Sequence, residues 1–569
     1  MTPVATLLEQ ASALEESGDP RRAALLYQEV LELEPEHPTA KQQLAAAVYS
    51  YAHILRGRGA IEAAVTAFAH VARLAPDHAD AWLALGNACM ELEMQRVAIA
   101  RTSDKATDAN DDPLANAVYA LARAAKLRHD ALDIEANLAM AARYACAWEV
   151  SRNAEAAIAR LANEARESFA CEPMTAITLL DDATLVRHGI AAWTRGHLPA
   201  VSAPAVIAKR GTRLRVGYLS TDLHDHATAH LTAGMFELHD RSRFEVFAYA
   251  LDRDDGSAMR GRLRNAFEHW RDLRELDDDA AVKQIAADAI DVLIDLKGHT
   301  HGSRLGILAR RPARAQLHYL GFPGTIAYEG VDGLVADDIV APKGCDDEFA
   351  ETLWRLPVCY QVNDHRRELP AAMSRAEAGL PERGLVLASF NQTFKLSEAF
   401  VATWLGVLRE HDDAVLWLNV PHDLARRNLA ALALQYGVLS SRIVFAPMLP
   451  HAAHIARLQC ADLALDVLPY GSHTTGSDAL FAGVPLLTCR GKTFAGRVGA
   501  SLCTAAGVAD LVTESLPAYA SRLRSLCTNR DELRGYKDQL ERERSRLPLF
   551  DTATFTRAFE RVLTNAAGG

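Results

Sequence analysis

From Arg213 onward the chain alternates short apolar, β-branched runs with amphipathic helical stretches. The runs that we expect to form strands are Leu214–Leu219, Phe244–Tyr249, Ile290–Ile294, Leu385–Phe390, Val415–Leu418, Ile443–Phe445, Leu463–Leu468 and Leu486–Thr488. Strands that alternate with helices pair in parallel, and the helices cover both faces of the sheet. A connector from Leu369 to Arg383 separates two such series. We therefore predict two doubly wound α/β lobes, with a ligand site at the carboxyl ends of their strands.

The N-terminal third of the chain lacks this alternation and repeats a helical pattern instead. The pairs that share one offset of 41 positions are Gly18 with Gly59, Ala23 with Ala64, Tyr27 with Phe68, and Pro35 with Pro76. This pattern is typical of the tetratricopeptide helix–turn–helix, whose usual period is about 34 residues. A surplus of about seven residues adds two helical turns without rotating the buried face. We predict an α-solenoid that binds a peptide or protein, packs against the rest of the chain, or mediates dimerisation.

The length of 569 residues exceeds what one hydrophobic core supports. We predict a helical repeat domain over 1–193, an α/β lobe over 210–375 and a second α/β lobe over 384–569. The formal net charge of −12 argues against a nucleic-acid partner. The N-terminus lacks a signal sequence and no run is long enough to span a bilayer, so a cytoplasmic protein is expected. The nine cysteines form no C-x-x-C pair, which argues against structural zinc and disulfides.

The segment Gly471–Asp478 lies between a predicted strand and an apolar helical stretch. Unpaired backbone N–H groups and the helix dipole favour an anion at such a helix N-terminus. The hydroxyls of Thr474 and Thr475 add donors suited to phosphate oxygens. The segment therefore predicts a diphosphate site. The structural alternative is that Thr475-x-x-Asp478 forms a capping arrangement.

Polar residues also follow predicted strands of the first lobe. The segment Thr221–His230 contains three histidines, and histidine is the side chain best suited to act as a base near neutral pH. His226 and His230 could alternatively share a helix face and bind a metal, but no third ligand is positioned, so we predict no metal site. Two Gly-containing turns, Lys297–Gly302 and Leu320–Thr325, offer close backbone approach to a ligand.

Two further motifs lie in the second lobe. The segment Phe390–Lys395 directly follows a strand, and a lysine in such a loop can meet a phosphate as a point charge or can simply be solvated. In the other motif His451, His454 and Arg457 are spaced three residues apart and share one helix face.

These motifs, in this order, resemble those of the protein O-linked N-acetylglucosamine transferases, in which tetratricopeptide repeats precede a two-lobed GT-B catalytic region. The shared motifs are Asp222-x-x-x-His226-x-x-x-His230, Leu320-Gly321-Phe322-Pro323-Gly324-Thr325, Phe390-Asn391-Gln392-x-x-Lys395, His454-x-x-Arg457 and Gly471-x-His473-Thr474-Thr475-Gly476-x-Asp478. The resemblance runs from about Leu214 to the C-terminus and is strongest to bacterial homologues with a short repeat array. It implies an α-solenoid followed by a GT-B region of two doubly wound, Rossmann-like lobes.

The resemblance implies inverting transfer of N-acetylglucosamine from UDP-N-acetylglucosamine to Ser or Thr hydroxyls of proteins, without a metal or other cofactor. The roles that it implies are diphosphate binding for Gln392, Lys395, Thr474 and Thr475, uracil contact for His454 and Arg457, nucleotide contact for His473, ribose binding for Asp478, a candidate base at His226, and a sugar pocket at Thr300 and Leu320. Lys395 would also stabilise the leaving diphosphate. Protein or peptide acceptors could reach the site along the repeats, and the chain could form a homo-oligomer.

Two departures from the family pattern concern the donor. Tyr470 stands where animal members carry a smaller Cys beside the sugar, and His451 stands where they carry Lys. Plant Spindly-type relatives share the architecture yet transfer fucose from GDP-fucose, so an O-fucosyltransferase is one alternative. A nucleotide-binding scaffold without turnover and an enzyme with a small-molecule or glycan acceptor are two others. A phosphate oxygen of the donor is the alternative to His226 as base.

Overall fold

The computed structural model describes residues 2–100, 112–164, 168–202 and 211–568. It contains two compact units. The repeat unit combines Met1–Glu164 with Val420–Leu432, and the two-lobed unit combines Ala165–Asn419 with Ala433–Gly569. The domain boundary expected at residue 210 lies outside the described residues.

The repeat unit is helical. Its helices are α1 Pro3–Glu16, α2 Pro20–Leu33, α3 Pro38–Gly57, α4 Ile61–Leu74, α5 Ala79–Ala100, α6 Pro113–Leu127, α7 Leu132–Tyr144 and α8 Trp148–Glu164. The predicted offset is confirmed, because α2 and α4 both have 14 residues and begin 41 positions apart. The surplus residues lengthen α3 to 20 residues.

The residues that define the repeat occupy equivalent structural positions. Ala23 and Ala64 are fully buried, and the rings of Tyr27 and Phe68 pack in the core beside them. Gly18, like its counterpart 41 positions later, has a positive φ after the preceding helix ends, where glycine is favoured. The repeat is therefore a structural one.

The first lobe of the two-lobed unit contains a seven-stranded sheet. Its elements are α9 Pro173–Leu179, α10 Ala183–His197, β1 Leu214–Ser220, α11 Ala227–Leu238, β2 Phe244–Ala250, α12 Ala258–Ala266, β3 His269–Asp272, α13 Asp278–Ala287, β4 Val292–Asp295, α14 Leu305–Ala309, β5 Ala315–His318, β6 Gly333–Asp337, a 3₁₀ turn Asp346–Glu348, and β7 Thr352–Leu356. The strand order is β3-β2-β1-β4-β5-β6-β7, and every pairing is parallel. The lobe is therefore doubly wound, as predicted.

The second lobe contains a six-stranded parallel sheet in the order β10-β9-β8-β11-β12-β13. Its elements are β8 Val386–Ser389, α15 Glu398–Glu410, β9 Val415–Leu418, α16 Asp423–Gln435, β10 Ile443–Phe445, α17 His451–Leu458, β11 Leu463–Leu465, α18 Thr474–Phe481, β12 Leu486–Cys489, α19 Phe494–Ala505, β13 Val512–Thr513, α20 Leu516–Thr528, α21 Arg530–Glu543 and α22 Thr552–Gly568. Single 3₁₀ turns span Thr393–Lys395, Ser440–Arg442, Ala509–Leu511, Arg544–Arg546 and Pro548–Phe550.

Two segments make buried contacts with parts of the chain far away in sequence. The segment Val420–Leu432, which follows β9, packs within the repeat unit, where His422 Nδ1 lies 2.7 Å from Glu93 Oε1. The last helix, α22, returns to the first lobe, where Glu560 Oε1 lies 3.1 Å from His239 Nδ1. Both contacts are buried.

The strand order reverses between β1 and β4 in the first sheet and between β8 and β11 in the second. In open parallel sheets a crevice forms at the carboxyl ends of the strands at such switch points, and ligands bind there. The four loops that follow these strands contain most of the residues singled out above. Among the helices of the described ranges, none is both long and apolar enough to cross a membrane.

Candidate active site

The loop after β1 places His226 at the N-cap of α11. Its Nδ1 accepts a hydrogen bond from the Thr228 backbone N–H at 3.2 Å, so the ring proton resides on Nε2. The His226 side chain is 43% exposed, but the burial of the rest of the ring lowers its pKa. The negative charge of Asp222 acts in the opposite direction and is the weaker effect. Near pH 7 the ring is therefore neutral and offers Nε2–H as a donor.

A buried ion pair joins the loops after β1 and β4. Lys297 Nζ donates to both carboxylate oxygens of Asp222, at 2.8 and 2.9 Å. Asp222 Oδ2 also lies 3.6 Å from His226 Nδ1, but that nitrogen already accepts from the backbone. Thr300 follows in the same loop, and its hydroxyl donates to the Lys297 carbonyl at 2.9 Å. The loop that carries His226 is thus held beside the predicted sugar pocket.

Leu320 follows β5 and has the left-handed φ of +71°. The next residue must be glycine, because a Cβ on Gly321 would lie 2.1 Å from the Leu296 carbonyl oxygen. This close approach presses the turn against the end of β4. The buried His318 ring links this turn to the end of β4. Its Nδ1 lies 3.1 Å from Asp295 Oδ2, and its Nε2 lies 2.9 Å from the Phe322 carbonyl oxygen.

In the second lobe the loop after β8 presents Lys395 to the loop after β11. Lys395 Nζ donates to the Gly471 carbonyl at 3.0 Å and lies 3.6 Å above the Tyr470 ring. Among the described residues no carboxylate lies within ion-pair distance of this ammonium. Burial lowers the pKa of Lys395 to about 7, against the opposing charge of Asp466. An anion that reaches this lysine would therefore favour its charged form.

Two buried side chains hold the loop after β11 in place. Asn391 Nδ2 donates to Ser472 Oγ at 3.0 Å, and Thr475 Oγ1 donates to Asn391 Oδ1 at 3.2 Å. Asp466 accepts from the Ser472 N–H at 2.6 Å and from Thr488 Oγ1 at 2.7 Å. The neighbouring Gln392 is exposed, and within the described ranges its side chain makes no hydrogen bond.

Helix α18 begins at Thr474, with His473 as its N-cap and no side-chain hydrogen bond at the cap. The capping arrangement considered for Thr475-x-x-Asp478 is wrong, because the Thr475 hydroxyl binds Asn391 and the Asp478 carboxylate binds Arg367. Within the described part of the chain, no side chain accepts from the first N–H groups of this helix. Burial, with the Lys395 charge, holds the pKa of His473 well below its usual range, so this ring is neutral.

The residues of α17 form a second group. Arg457 donates to His454 Nδ1 through Nε at 3.2 Å and through Nη2 at 3.0 Å, and its guanidinium lies 4.8 Å from the Phe390 ring. Burial, with the Arg457 charge, lowers the pKa of His454 to about 4. His454 is therefore neutral with Nε2–H as its donor, a fixed tautomer that suits recognition of a carbonyl oxygen.

Asp478 lies at the centre of an interlobe network. Its Oδ1 accepts from Arg367 Nη2 at 2.6 Å, and its Oδ2 lies 3.8 Å from His451 Nε2. The His451 ring stacks on His230 of the first lobe, with centroids 4.2 Å apart. Burial opposes ionisation, but the charges of Arg367 and His451 outweigh it and lower the pKa of Asp478. Through the stacked His230 and His451 rings, this network connects the first lobe to the second.

Replacing Asp478 with alanine leaves the buried Arg367 guanidinium without its partner. Removing one member of a buried ion pair typically costs about 3–5 kcal/mol, so we expect the free energy of unfolding to fall by about that amount. Urea-induced unfolding followed by tryptophan fluorescence measures it. The double variant Asp478→Leu with Arg367→Met removes both charges and should recover much of the loss. An Asp478→Ala protein as stable as the parent would contradict this account.

Two groups of acidic residues outside the candidate site could hold a metal by their spacing, and both are engaged by arginine. One trio of potential metal ligands in the described part of the chain comprises Glu237, Asp364 and His365, but Arg262 binds both carboxylates. The Asp252-x-Asp254 pair, whose spacing matches a common metal-binding pattern, is likewise engaged. Asp252 lies 2.5 Å from Arg260. The absence of a metal site stays a prediction.

The positioning roles of Asn391, Asp466 and Arg367 were not predicted from the sequence, although Asn391 belongs to one of the shared motifs. Asp466 directly follows β11 and Asn391 comes two residues after β8, in the loops where site residues concentrate, so their place was a usable signal. Arg367 lies just before the connector that begins at Leu369, and nothing in the sequence indicates its partner 111 positions away.

Residues 192–376 and 370–559 match the family model of glycosyl transferase family 41. The chain belongs to this family. Over 356 residues it is 36% identical to a probable UDP-N-acetylglucosamine–peptide N-acetylglucosaminyltransferase SEC of Arabidopsis thaliana, covering 61% of this chain and 36% of that protein. Over 482 residues it is 26% identical to the UDP-N-acetylglucosamine–peptide N-acetylglucosaminyltransferase of Caenorhabditis elegans, covering 65% and 42%. This chain thus matches about two fifths of the length of these two relatives.

Two other relatives complete the comparison. A tomato protein named as a probable UDP-N-acetylglucosamine–peptide N-acetylglucosaminyltransferase SPINDLY is 27% identical over 360 residues, or 61% of this chain and 38% of that one. A mutant O-GlcNAc transferase of Thermobaculum terrenum superposes with a TM-score of 0.66 at 24% identity, over 99% of this chain and 98% of that one. This likeness shows the fold. It confirms the predicted class, helical repeats followed by a two-lobed GT-B region.

Proposed function

We propose that this protein transfers N-acetylglucosamine from UDP-N-acetylglucosamine to Ser or Thr hydroxyls of proteins. The observation that carries the proposal is Lys395, whose ammonium is held beside the Gly471 carbonyl just before α18 and has no carboxylate partner in the described structure. A lysine and a helix N-terminus together suit a diphosphate. Membership of the family and the names of the relatives support the choice of donor.

Lys395 and the N-terminus of α18 would stabilise the negative charge that grows on the departing diphosphate, which is the largest electrostatic demand of the reaction. The acceptor oxygen attacks the anomeric carbon on the face opposite the diphosphate. The new C–O bond forms as the bond to the phosphate oxygen breaks, and the configuration inverts. These groups supply positive charge without a metal, so we expect full activity in the presence of a chelator.

The hydroxyl proton must leave during this attack. His226 carries its proton on Nε2 and is neutral, so in this state it offers a donor and no free lone pair to an acceptor. Asp222 is already paired with Lys297. We therefore propose that a phosphate oxygen of the donor takes the proton, while His226 Nε2–H hydrogen-bonds and orients the acceptor.

The direct test is a transfer assay with the full chain, radiolabelled UDP-N-acetylglucosamine and a chelator. The acceptors are a Ser-containing peptide and a matched peptide with alanine in place of each hydroxyl residue. We expect label on the first peptide only. Label on neither peptide, together with intact donor binding, would favour the scaffold alternative. Transfer from GDP-fucose alone would favour the O-fucosyltransferase.

The pH dependence of donor binding should follow Lys395. The charged lysine binds the diphosphate, so affinity is greatest below a pKa of about 7 and falls as the pH rises through it. Tyr470→Ala removes the ring that covers Nζ and exposes the ammonium to water. The fall in donor affinity should therefore move to higher pH by at least about one unit. Tyr470→Phe keeps the ring and serves as control. Calorimetric titrations of UDP-N-acetylglucosamine between about pH 6 and 9 make the comparison. An unshifted profile in Tyr470→Ala would refute this role of the ring.

Recruitment of protein acceptors by the helical repeats stays a prediction, as does homo-oligomer formation. A cytoplasmic location has the same standing.

A further inference from the structure

A cavity of about 210 Å³ lies outside the candidate active site, between the end of β7 and the start of α22. Its walls are mostly apolar, formed by Leu356, Val358, Leu549, Phe555 and Ala558. None of the residues assigned to the donor or the acceptor lines it. At roughly 30 Å³ per water molecule, the space would take a ligand about as large as seven waters.

One buried polar side chain lines this cavity without a partner. Gln361 is 1% exposed, and across the described residues neither its Nε2 nor its Oε1 has a hydrogen-bond partner. Buried amides are nearly always paired, because an unpaired donor or acceptor forfeits its hydration without compensation. Both amide atoms are themselves buried, so a molecule in the cavity reaches this unused donor and acceptor when the Gln361 side chain turns toward it. A bound molecule with the complementary pair could satisfy both.

We propose that this cavity binds a small, largely apolar, uncharged molecule that carries a carbonyl and an N–H on adjacent atoms, as in a primary carboxamide or a lactam. The ligand carbonyl would accept from Gln361 Nε2, and the ligand N–H would donate to Gln361 Oε1. The apolar body would pack against Leu356, Leu549 and Ala558. Arg546 and Asp551 both lie at the lining, so the two signs of charge balance and favour a neutral ligand.

Two probes of nearly equal shape separate the amide edge from simple hydrophobic filling. Benzamide carries the full edge, whereas acetophenone replaces its NH₂ with a methyl group and cannot donate. Saturation-transfer NMR titrations on the full chain measure both. We expect saturable binding of both probes, with benzamide about tenfold tighter, because acetophenone leaves Gln361 Oε1 unpaired.

Two variants complete the test. Gln361→Met keeps the side-chain length and removes the amide, so the preference for benzamide should vanish while acetophenone still binds. Val358→Trp fills the opening from a position that is 39% exposed, and it should abolish binding of both probes with little effect on the fold. Circular dichroism and UDP titration verify that each variant is folded.

The proposal is overturned if neither probe binds the parent chain saturably, which would mean that the cavity holds only water. It is also overturned if the preference for benzamide persists in Gln361→Met, or if Val358→Trp leaves binding unchanged. The proposal does not depend on the transferase activity, so an inactive chain that binds benzamide as described would still support it.

Discussion

Replacing Lys395 with alanine is expected to lower kcat/KM for sugar transfer by about a hundredfold to a thousandfold while the fold is retained. The lysine is the cation that faces the N-terminus of α18 and, in the described structure, it has no carboxylate partner. Its removal therefore withdraws stabilisation from the leaving diphosphate without leaving a buried charge unpaired. Initial-rate kinetics with labelled UDP-N-acetylglucosamine measure the effect.

The matched control is Lys283→Ala. Lys283 is exposed on α13 of the first lobe, away from the loops that form the candidate site. This variant should transfer sugar at the parental rate and unfold at the same temperature. Transfer by Lys395→Ala at the rate of the Lys283→Ala control would remove the diphosphate assignment, and with it the site proposed for the donor.

His226 gives the second large effect, and its two substitutions should differ. His226→Ala removes the Nε2–H donor and should lower kcat by about a hundredfold, a typical loss for one positioned group. His226→Gln places an amide N–H near the same position but cannot act as a base. We expect this variant to retain kcat within about tenfold of the parent, because the proton goes to the donor phosphate. Parallel kcat measurements at saturating donor make the comparison.

A base at His226 predicts a different pattern, because both substitutions would then abolish proton removal and lower kcat equally. Loss of the N-cap could also destabilise α11 in either variant, so thermal unfolding must be measured beside the kinetics. Equal, large losses of kcat in two well-folded variants would restore His226 as the base.

Much of the fold was predictable because the buried strands carry strong local signals. The runs at β1, β2, β8 and β9 are predominantly apolar and mostly buried, so they indicate inner strands without tertiary information. The 41-residue offset located the repeats for a similar reason. The same apolar face recurs on α2 and α4.

The strands that the sequence did not reveal are short or polar. β3 reads His-Trp-Arg-Asp at the edge of the first sheet and is only partly buried. β5 contains the fully buried Gln316, whose Nε2 donates to the carbonyls of Leu308 and Gly330. Local patterns do not show such pairing, because one acceptor lies in α14 and the other in the loop between β5 and β6.

The residues of the candidate site also fall into two groups, those that the sequence predicted and those that it did not. Residues that follow strands, such as Lys395 and His226, were found because the topology requires loops at the carboxyl ends. The Arg367–Asp478 pair and the His230–His451 stack arise from tertiary contacts between distant segments. Neither the tautomer of His226 nor the depressed pKa of Lys395 could be read from the sequence, since both depend on neighbours fixed by folding.

The most direct measurement is a calorimetric titration of the purified chain with UDP-N-acetylglucosamine, UDP and GDP-fucose in the presence of a chelator. The expected result is saturable binding of both uridine ligands without a metal, together with weak or no binding of GDP-fucose. The Lys395→Ala variant should bind both uridine ligands more weakly. Selective binding of GDP-fucose, or no binding of any of the three, would contradict the proposed donor.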